Sequence, residues 1–199
     1  MFNVALTNLG KYNEGILDYV WLNLPATREE VAEAMEKIGI NAQYEEFFIS
    51  DYDIDIDGIS DVLGEYEDVD MLNWLAGLVE NMTEYEQKQF ESAIECYGYC
   101  SNVCDLIDLA LNLDNYMLLE SVDCDEDLGR YYIEELGCYD LSKMGNLANY
   151  IDFERFGRDV RLEEDGFHTD NGYIVCVDST SDDIDEDAIP DEYKVIRAA

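Results

Sequence analysis

The chain has 199 residues, of which 48 are acidic and 11 basic, so its formal net charge is −37. Apolar residues make up 48% of the sequence, enough for a folded core rather than a disordered acidic tail. Proteins that bind nucleic acid or anionic membranes must bring cations to phosphates, so the charge argues against both partners. The partners that fit are cationic: a metal ion, a basic protein, or a protein groove that holds DNA.

The acidity belongs to the folded body. Successive 60-residue stretches contain 12, 14 and 15 acidic residues, and only the remaining seven lie after residue 180. The sequence shows no signal peptide and no apolar run long enough for a membrane span, which favours a cytoplasmic protein. In that setting the six cysteines are expected to be free, buried thiols, although Cys96, Cys100 and Cys104 recur at every fourth position.

Residues 1–63 are predicted to form an N-terminal ββαβ-type α+β domain. Apolar and β-branched residues mark three strands, at 2–7, 16–24 and 44–49, with turn formers between the first two. A helix begins at the capping box of Thr27 and Glu30 and ends at Gly39.

Residues 64–115 are predicted to form a small helical bundle. Three apolar stripes with helical spacing include Leu72, Phe90 and Leu106, and Thr83 with Glu86 forms a second capping box. The polar faces of these helices are almost purely acidic, which is unusual for a bundle surface.

Residues 116–178 are predicted to form a C-terminal α+β domain with a β-hairpin. One helix begins at Asp125 and ends at Gly137, and a second lies around 141–148. Asn171-Gly172 is a strong two-residue hairpin signal between strands 167–169 and 173–177. The acidic tail, 179–199, is weakly periodic and is expected to be mobile or lightly docked.

Two segments resemble half of a calcium-binding loop. The first runs from Asp53 to Gly58 but has Gly64 where a bidentate Glu should stand. The second begins at Asp123 and lacks the glycine of the sharp turn, with Leu128 in its place. A solvated acidic edge is therefore favoured over a metal site, and no metal or other cofactor is predicted.

The motifs of catalysis are missing. The sequence has one histidine, His168, no glycine-rich phosphate loop and no nucleophile elbow. A glycosidase-like carboxylate pair is disfavoured because its acid needs an apolar pocket rather than many like charges. No catalytic residue is predicted, and the protein is not expected to be an enzyme.

The amount of charge suggests a specific comparison. Duplex DNA carries one charge per ~1.7 Å of axis, so 37 charges correspond to roughly 63 Å, or about 18 base pairs. An elongated string of three small α+β and helical domains would relieve self-repulsion and approximate that spacing. The competing explanation is a salt-adapted protein whose surface charge has no pattern.

Several stretches of the chain, in this order, resemble the ArdA family of antirestriction proteins. They are TNLGKYNEG at 7–15, Trp21 through Leu24-Pro25, EEFFISDYD at 45–53, DLGRYYIEE at 127–135, and YIDFERFGRD at 150–159 with the later GYI. The resemblance runs from about Phe2 to about Val177, so the acidic tail lies outside it.

The resemblance implies three small domains in a curved, elongated chain that pairs as a homodimer. Family members are thought to copy bent B-form DNA and to bind type I restriction-modification enzymes at the methyltransferase-specificity core. Incoming plasmid or transposon DNA then escapes cleavage. A calcium-binding or acidic scaffold protein is the alternative from another functional class.

Under the DNA-mimic hypothesis, the partner-binding surface is distributed over many carboxylates. The candidates are Asp51, Asp53, Asp55, Asp57, Glu65, Glu67, Asp68, Asp70, Glu84, Glu91, Glu95, Asp105, Asp108, Asp123, Asp125, Glu126 and Asp127. A second set of residues is aromatic and could either form the dimer interface or fill the core of the third domain. It consists of Tyr131, Tyr132, Tyr150, Phe153 and Phe156.

Overall fold

The structure is a computed structural model that describes residues 1–97, 100–180 and 184–196. It is mixed α+β, with 49% helix, 17% strand and two small antiparallel sheets. The strands are β1 (Phe2–Asn8), β2 (Tyr19–Asn23), β3 (Phe47–Ile54), β4 (Tyr116–Leu119), β5 (Phe167–Thr169) and β6 (Gly172–Cys176). The helices are α1 (Leu9–Asn13), α2 (Arg28–Lys37), α3 (Ile59–Val62), α4 (Val69–Glu80), α5 (Glu84–Tyr97), α6 (Val103–Leu111), α7 (Asp125–Arg130) and α8 (Phe153–Glu163). No helix within the described ranges is both long and apolar enough to cross a bilayer.

The chain divides into two compact units. Within the described residues, the first unit comprises 1–87, 97, 100–111 and 184–196. The second unit comprises 88–96 and 112–180, so helix α5 contributes to both.

The sheet of the first unit has the strand order β2-β1-β3, and both pairings are antiparallel. One face carries Phe2, Val4 and Leu6, which are all buried. Helix α2 packs on this face through Val31 and Ala34, and its predicted capping box of Thr27 and Glu30 is confirmed. We call the opposite face of this sheet the outer face.

The central helices form where the apolar spacing predicts them. Asp68 caps α4 by accepting hydrogen bonds from the backbone N–H groups of Asp70 and Met71. Thr83 and Glu86 exchange the hydrogen bonds of the second predicted capping box. Helices α4 and α6 pack against each other, and their buried leucines belong to the core of the first unit.

The acidic tail is docked along its described part, which is one of the two outcomes expected for it. Ile189 and Val195 are buried, and the ring of Tyr193 lies against Gly77, where a Cβ atom would clash with it. The side-chain amide of Asn73 donates to the carbonyl of Tyr193, at 3.2 Å. These partners are more than 100 residues away along the chain, so no local pattern in the tail reveals them.

The second unit contains the predicted hairpin and one strand that the sequence did not reveal. Strands β5 and β6 pair around Asn171-Gly172, as predicted. Strand β6 is central, and its other neighbour is β4, a four-residue strand whose pairing partner lies more than 50 residues away. The core contains Val122, Leu128, Tyr173 and Val175.

Helices α7 and α8 cross at two glycines. A Cβ atom at Gly129 would clash with the carbonyl oxygen of Phe153, and one at Gly157 would clash with that of Asp125. The two helix backbones therefore touch. This contact explains why the sequence stretches around 127–135 and 150–159 each contain a glycine inside a helix.

The prediction of a helix around 141–148 is wrong. This segment forms short 3₁₀ turns, and Gly145 adopts a positive φ of 55° that interrupts a helix. Its apolar side chains also lack a core to pack against, since Leu147 is 70% exposed. The helix of this region is α8 instead, capped by Asp152.

Candidate anionic interface

The clearest row of carboxylates lies along β3. Asp51, Asp53 and Asp55 alternate along the chain, and all three are exposed. Alternate residues of a strand point to the same side, so Asp51 and Asp53 line one face. Asp55 follows directly after the strand, where its backbone N–H donates to the carbonyl of Met1. In register, Asp51 pairs with Ala5 and Asp53 with Asn3, which places the row at one edge of the outer face.

The contacts of this row leave its carboxylates exposed. Asp53 accepts a hydrogen bond from the side-chain amide of Asn3 at 3.3 Å, and Asp51 accepts one from the neighbouring backbone N–H of Tyr52. Asp55 pairs with the amino group of Met1 at 2.5 Å, and both groups are more than half exposed. Carboxylates in such surroundings keep their oxygens accessible to a cationic partner.

More acidic residues follow β3 in the first unit. Asp57 and Glu65 are exposed, whereas Glu67 is half-buried and accepts a hydrogen bond from the N–H of Gly64. Asp68 is half-buried as the cap of α4.

The predicted acidic faces of α5 and α6 are partly used within the protein. Glu84 and Glu95 are exposed. Glu91 accepts a hydrogen bond from the amide of Asn171, at 3.2 Å. Asp105 accepts two hydrogen bonds from Ser101 before α6, and Asp108 is half-buried.

The pKa of Cys104 reports the local concentration of negative charge. Burial is the main cause that raises this pKa, and the nearby carboxylates raise it further. These are Asp105, Glu67, Glu186 and Asp185. Asp185 and Glu186 belong to the tail and are both exposed. The docked tail thus adds carboxylates to this side of the first unit, which the sequence analysis missed because the tail has no local signal for docking.

Asp70 is not a surface residue, which corrects its place in the predicted set. Its side chain lies in the first turn of α4 and is fully buried. One carboxylate oxygen accepts hydrogen bonds from the backbone N–H groups of Val195, at 2.7 Å, and Ile196, at 2.8 Å. Because the tail covers this carboxylate, its role is to bind the backbone of the tail within the first unit.

Asp125 is likewise engaged inside the second unit. Its carboxylate lies 2.8 Å from Nε of Arg161 and 3.0 Å from Nε2 of His168. The hydrogen bond with Arg161, followed by that with His168, holds the pKa of Asp125 below its ordinary value despite partial burial. Three elements, α7, α8 and β5, therefore meet at one carboxylate.

The other predicted carboxylates of the second unit lie nearer the solvent. Asp123 and Glu126 are exposed, and Glu126 forms an ion pair with Arg130, at 2.8 Å. Asp127 is half-buried and accepts a hydrogen bond from the thiol of Cys124.

A cavity of about 560 Å³ opens beside this ion pair. Arg130 lies in its wall, between Glu126 and Glu134, with its guanidinium 4.4 Å from the centroid of the Phe153 ring. The two glutamates are already paired with this cation of the chain itself, so we assign the cavity no ligand.

The aromatic residues considered for dimerisation divide into two groups. Tyr131 and Tyr132 pack on the core of the second unit, and the hydroxyl of Tyr132 donates to Glu164 at 2.5 Å. Phe156 meets the ring of Tyr139 edge-on. In contrast, Tyr150 is 84% exposed.

The two segments that resemble half of a calcium-binding loop use their carboxylates in other ways. Asp53 belongs to β3, Asp55 is paired with the amino group of Met1, and Asp125 is paired with Arg161. Among the residues that the structure describes, no group of three or more His, Cys, Asp or Glu side chains could hold a metal ion. The six cysteines are free thiols, as predicted. The prediction that they are buried is wrong, because each is half-buried or exposed.

The comparisons with known proteins identify the family. A search of curated proteins found no match. The family model described as antirestriction protein (ArdA) matches residues 4–175 of the chain. That span contains nearly all of both sheets and the carboxylate row at β3, and it ends before the docked tail. The chain therefore belongs to the ArdA family of antirestriction proteins.

Proposed function

We propose that this protein blocks type I restriction-modification enzymes by mimicking B-form DNA in their DNA-binding groove. The observation that carries the proposal is the exposed row of Asp51 and Asp53 on β3, continued by Asp55 directly after the strand. A strand fixes such a row rigidly, as a binding surface requires.

The spacing of this row suits the mimicry. Antiparallel strand geometry separates alternate residues by about 6.8 Å. Each strand of DNA advances about 3.4 Å per phosphate along the helix axis, so neighbouring carboxylates of the row span about two phosphate steps. Carboxylates also accept bidentate hydrogen bonds from arginine, as phosphates do.

The physical effect is the same as that of DNA arriving in the groove. Arginine and lysine side chains of the groove release their counterions when fixed carboxylates replace phosphates. Because phosphate contacts position DNA without reading its sequence, a backbone mimic blocks the groove whatever recognition site the enzyme reads. The protein needs no catalytic residue for this action.

The target in this proposal is the methyltransferase-specificity core of the enzyme, in the bacterial cytoplasm that mobile DNA enters. The remaining predicted carboxylates, without the buried Asp70, extend the surface. An elongated arrangement of domains 1–63, 64–115 and 116–178, paired as a homodimer, would lengthen the charge track.

The direct test is a cleavage assay with a purified type I enzyme and plasmid DNA. We expect inhibition that rises with the concentration of the protein, that added DNA reverses, and that salt weakens steeply. A type II restriction enzyme acting on the same plasmid serves as the control. Equal inhibition of both enzymes, or none of the type I enzyme, would exclude the proposal.

A further inference from the structure

We propose that the outer face of the first sheet is a binding site for arginine side chains, formed by Trp21 and Tyr19 of β2 opposite Asp51 of β3. The inference rests on the proposed function, because it names the side chains of the partner that this face receives. It goes further by requiring aromatic contacts in addition to charge.

The register of the sheet brings the two kinds of side chain to one face. Trp21 pairs with Ala5 across β2 and β1, and Ala5 pairs with Asp51 across β1 and β3. Residues paired in this way point to the same side of a sheet. Trp21 and Asp51 thus stand two strand spacings apart, about 10 Å, with a small alanine between them.

The aromatic side chains lie on the surface. Trp21 is 44% exposed and Tyr19 is 50% exposed, whereas Ala5 beneath them is only 1% exposed. The other tryptophan of the chain, Trp74, is 6% exposed in α4. Two large rings on a face that α2 leaves uncovered are therefore available to a partner.

Charge complementarity determines which partner fits. A cation is attracted to the face of an indole ring, and tryptophan is the strongest of the aromatic residues in this respect. Arginine stacks its planar guanidinium on such a ring and still presents N–H groups to a carboxylate, whereas lysine offers a compact, strongly hydrated charge. A ring and a carboxylate on one face, separated by a small alanine, therefore favour arginine.

This pairing also meets the usual requirements of an interface hot spot. Tryptophan, tyrosine and arginine are the residues that dominate binding energy in protein interfaces. Carboxylates already favour arginine through bidentate hydrogen bonds, and the rings add to that selectivity of the anionic surface.

The test compares labelled octa-arginine and octa-lysine peptides, which have equal charge, by fluorescence anisotropy. We expect the wild-type protein to bind octa-arginine at least about fivefold more tightly. Trp21→Leu should lower that ratio at least about twofold, since only Tyr19 and the carboxylates then favour arginine, while Trp21→Phe, which keeps a ring, should lower it less. Tyr85→Leu removes a ring of similar exposure from α5 and should leave the ratio unchanged.

Quenching of tryptophan fluorescence by acrylamide locates the site. Because Trp21 is exposed and Trp74 is buried, acrylamide should quench mainly the fluorescence of Trp21 in the wild-type protein. Bound octa-arginine should therefore reduce this quenching. Urea unfolding of each variant checks that the sheet is intact. An arginine-to-lysine ratio that Trp21→Leu leaves unchanged, or an absence of protection from quenching, overturns the inference.

The cleavage assay separates this inference from the proposed function. Trp21→Leu should raise the concentration needed for half-inhibition of the type I enzyme at least about fivefold. If the wild-type protein inhibits and Trp21→Leu inhibits equally well, the arginine site is wrong and the proposed function stands. If the wild-type protein does not inhibit, the proposed function fails, and the peptide comparison still decides whether the face selects arginine.

Discussion

Asp70 lies in the first turn of α4, with its carboxylate inside the first unit. This carboxylate accepts hydrogen bonds from the backbone N–H groups of Val195 and Ile196. Asp70→Ala would leave these donors without an acceptor, and we expect the free energy of unfolding to fall by about 1–3 kcal/mol. Urea denaturation followed by circular dichroism measures the change.

The exposed Asp57 provides the matched control. Asp57→Ala should change the free energy of unfolding by less than about 0.5 kcal/mol. Limited proteolysis should also cut the 184–196 segment faster in Asp70→Ala than in Asp57→Ala. Equal proteolysis and equal urea midpoints in the two variants would contradict the role of Asp70.

Asp125 makes the stability of the second unit dependent on pH. Its hydrogen bond with Arg161 lowers its pKa below the ordinary 3.8, so its contribution to stability is present above that value and is lost as the pH falls through the lowered pKa. The difference in free energy of unfolding between the wild-type protein and Asp125→Asn should therefore be larger at about pH 5 than at more acidic pH, and it should shrink below 3.8.

Urea titrations at a series of pH values test this dependence. Asp159→Asn, which changes an exposed aspartate of α8, should show little difference from the wild-type protein throughout. A constant difference for Asp125→Asn down to the lowest pH would show that the ion pair does not control the pKa.

At the scale of elements, the crossing of α7 and α8 allows a sharp prediction. Gly157→Ala places a methyl group against the carbonyl of Asp125, and the helices must separate. We expect destabilisation by about 2 kcal/mol or more, although alanine itself favours a helix. Gly64→Ala is the control, because its Cβ would make an ordinary contact, at 3.4 Å from Glu67 Oε1. Thermal unfolding that ranks Gly64→Ala as the less stable variant would contradict this crossing.

The secondary-structure elements also show how much of the fold the sequence could predict. Elements set by local signals were predicted well: the capping boxes at Thr27 and Thr83, and the hairpin at Asn171-Gly172. Strand β4 was missed because four residues become a strand only when a distant partner pairs with them. The helix predicted around 141–148 failed for the complementary reason, since Met144 and Leu147 of its apolar stripe are exposed and gain little from packing.

For the molecule as a whole, the pattern of charge should matter more than its total. The triple variant Asp51→Asn, Asp53→Asn, Asp55→Asn should raise the concentration for half-inhibition of a type I enzyme by about tenfold or more, whereas each single change costs about threefold or less. The inhibition should also depend less steeply on salt. Cleavage assays at several salt concentrations measure both effects.

Helix α2 supplies a control with the same change in net charge. Glu29, Glu33 and Glu36 are exposed on the helix that covers the opposite face of the sheet. Changing all three to glutamine should have little effect on inhibition. Equal losses in the two triple variants would mean that net charge, rather than a fixed row on β3, governs binding.

The anionic interface was only partly predictable. Composition indicated that carboxylates cover the surface, and most of the predicted residues are exposed or half-buried. Composition could not show that Asp70 and Asp125 bind groups inside their own units, because their partners lie 36 to 126 residues away in the chain. Nor could it show that the face beside Asp51 carries two exposed rings, which depends on the register of three strands.

The docking of residues 184–196 on Asp70 and Asn73 has a consequence for synthesis on the ribosome. Translation delivers the amino-terminal part of a protein first, and domains generally fold as they emerge. Here α4 emerges more than 100 residues before the segment that covers it. The portion of the polypeptide that is made earliest therefore reaches its final packing last, after the second unit has left the exit tunnel.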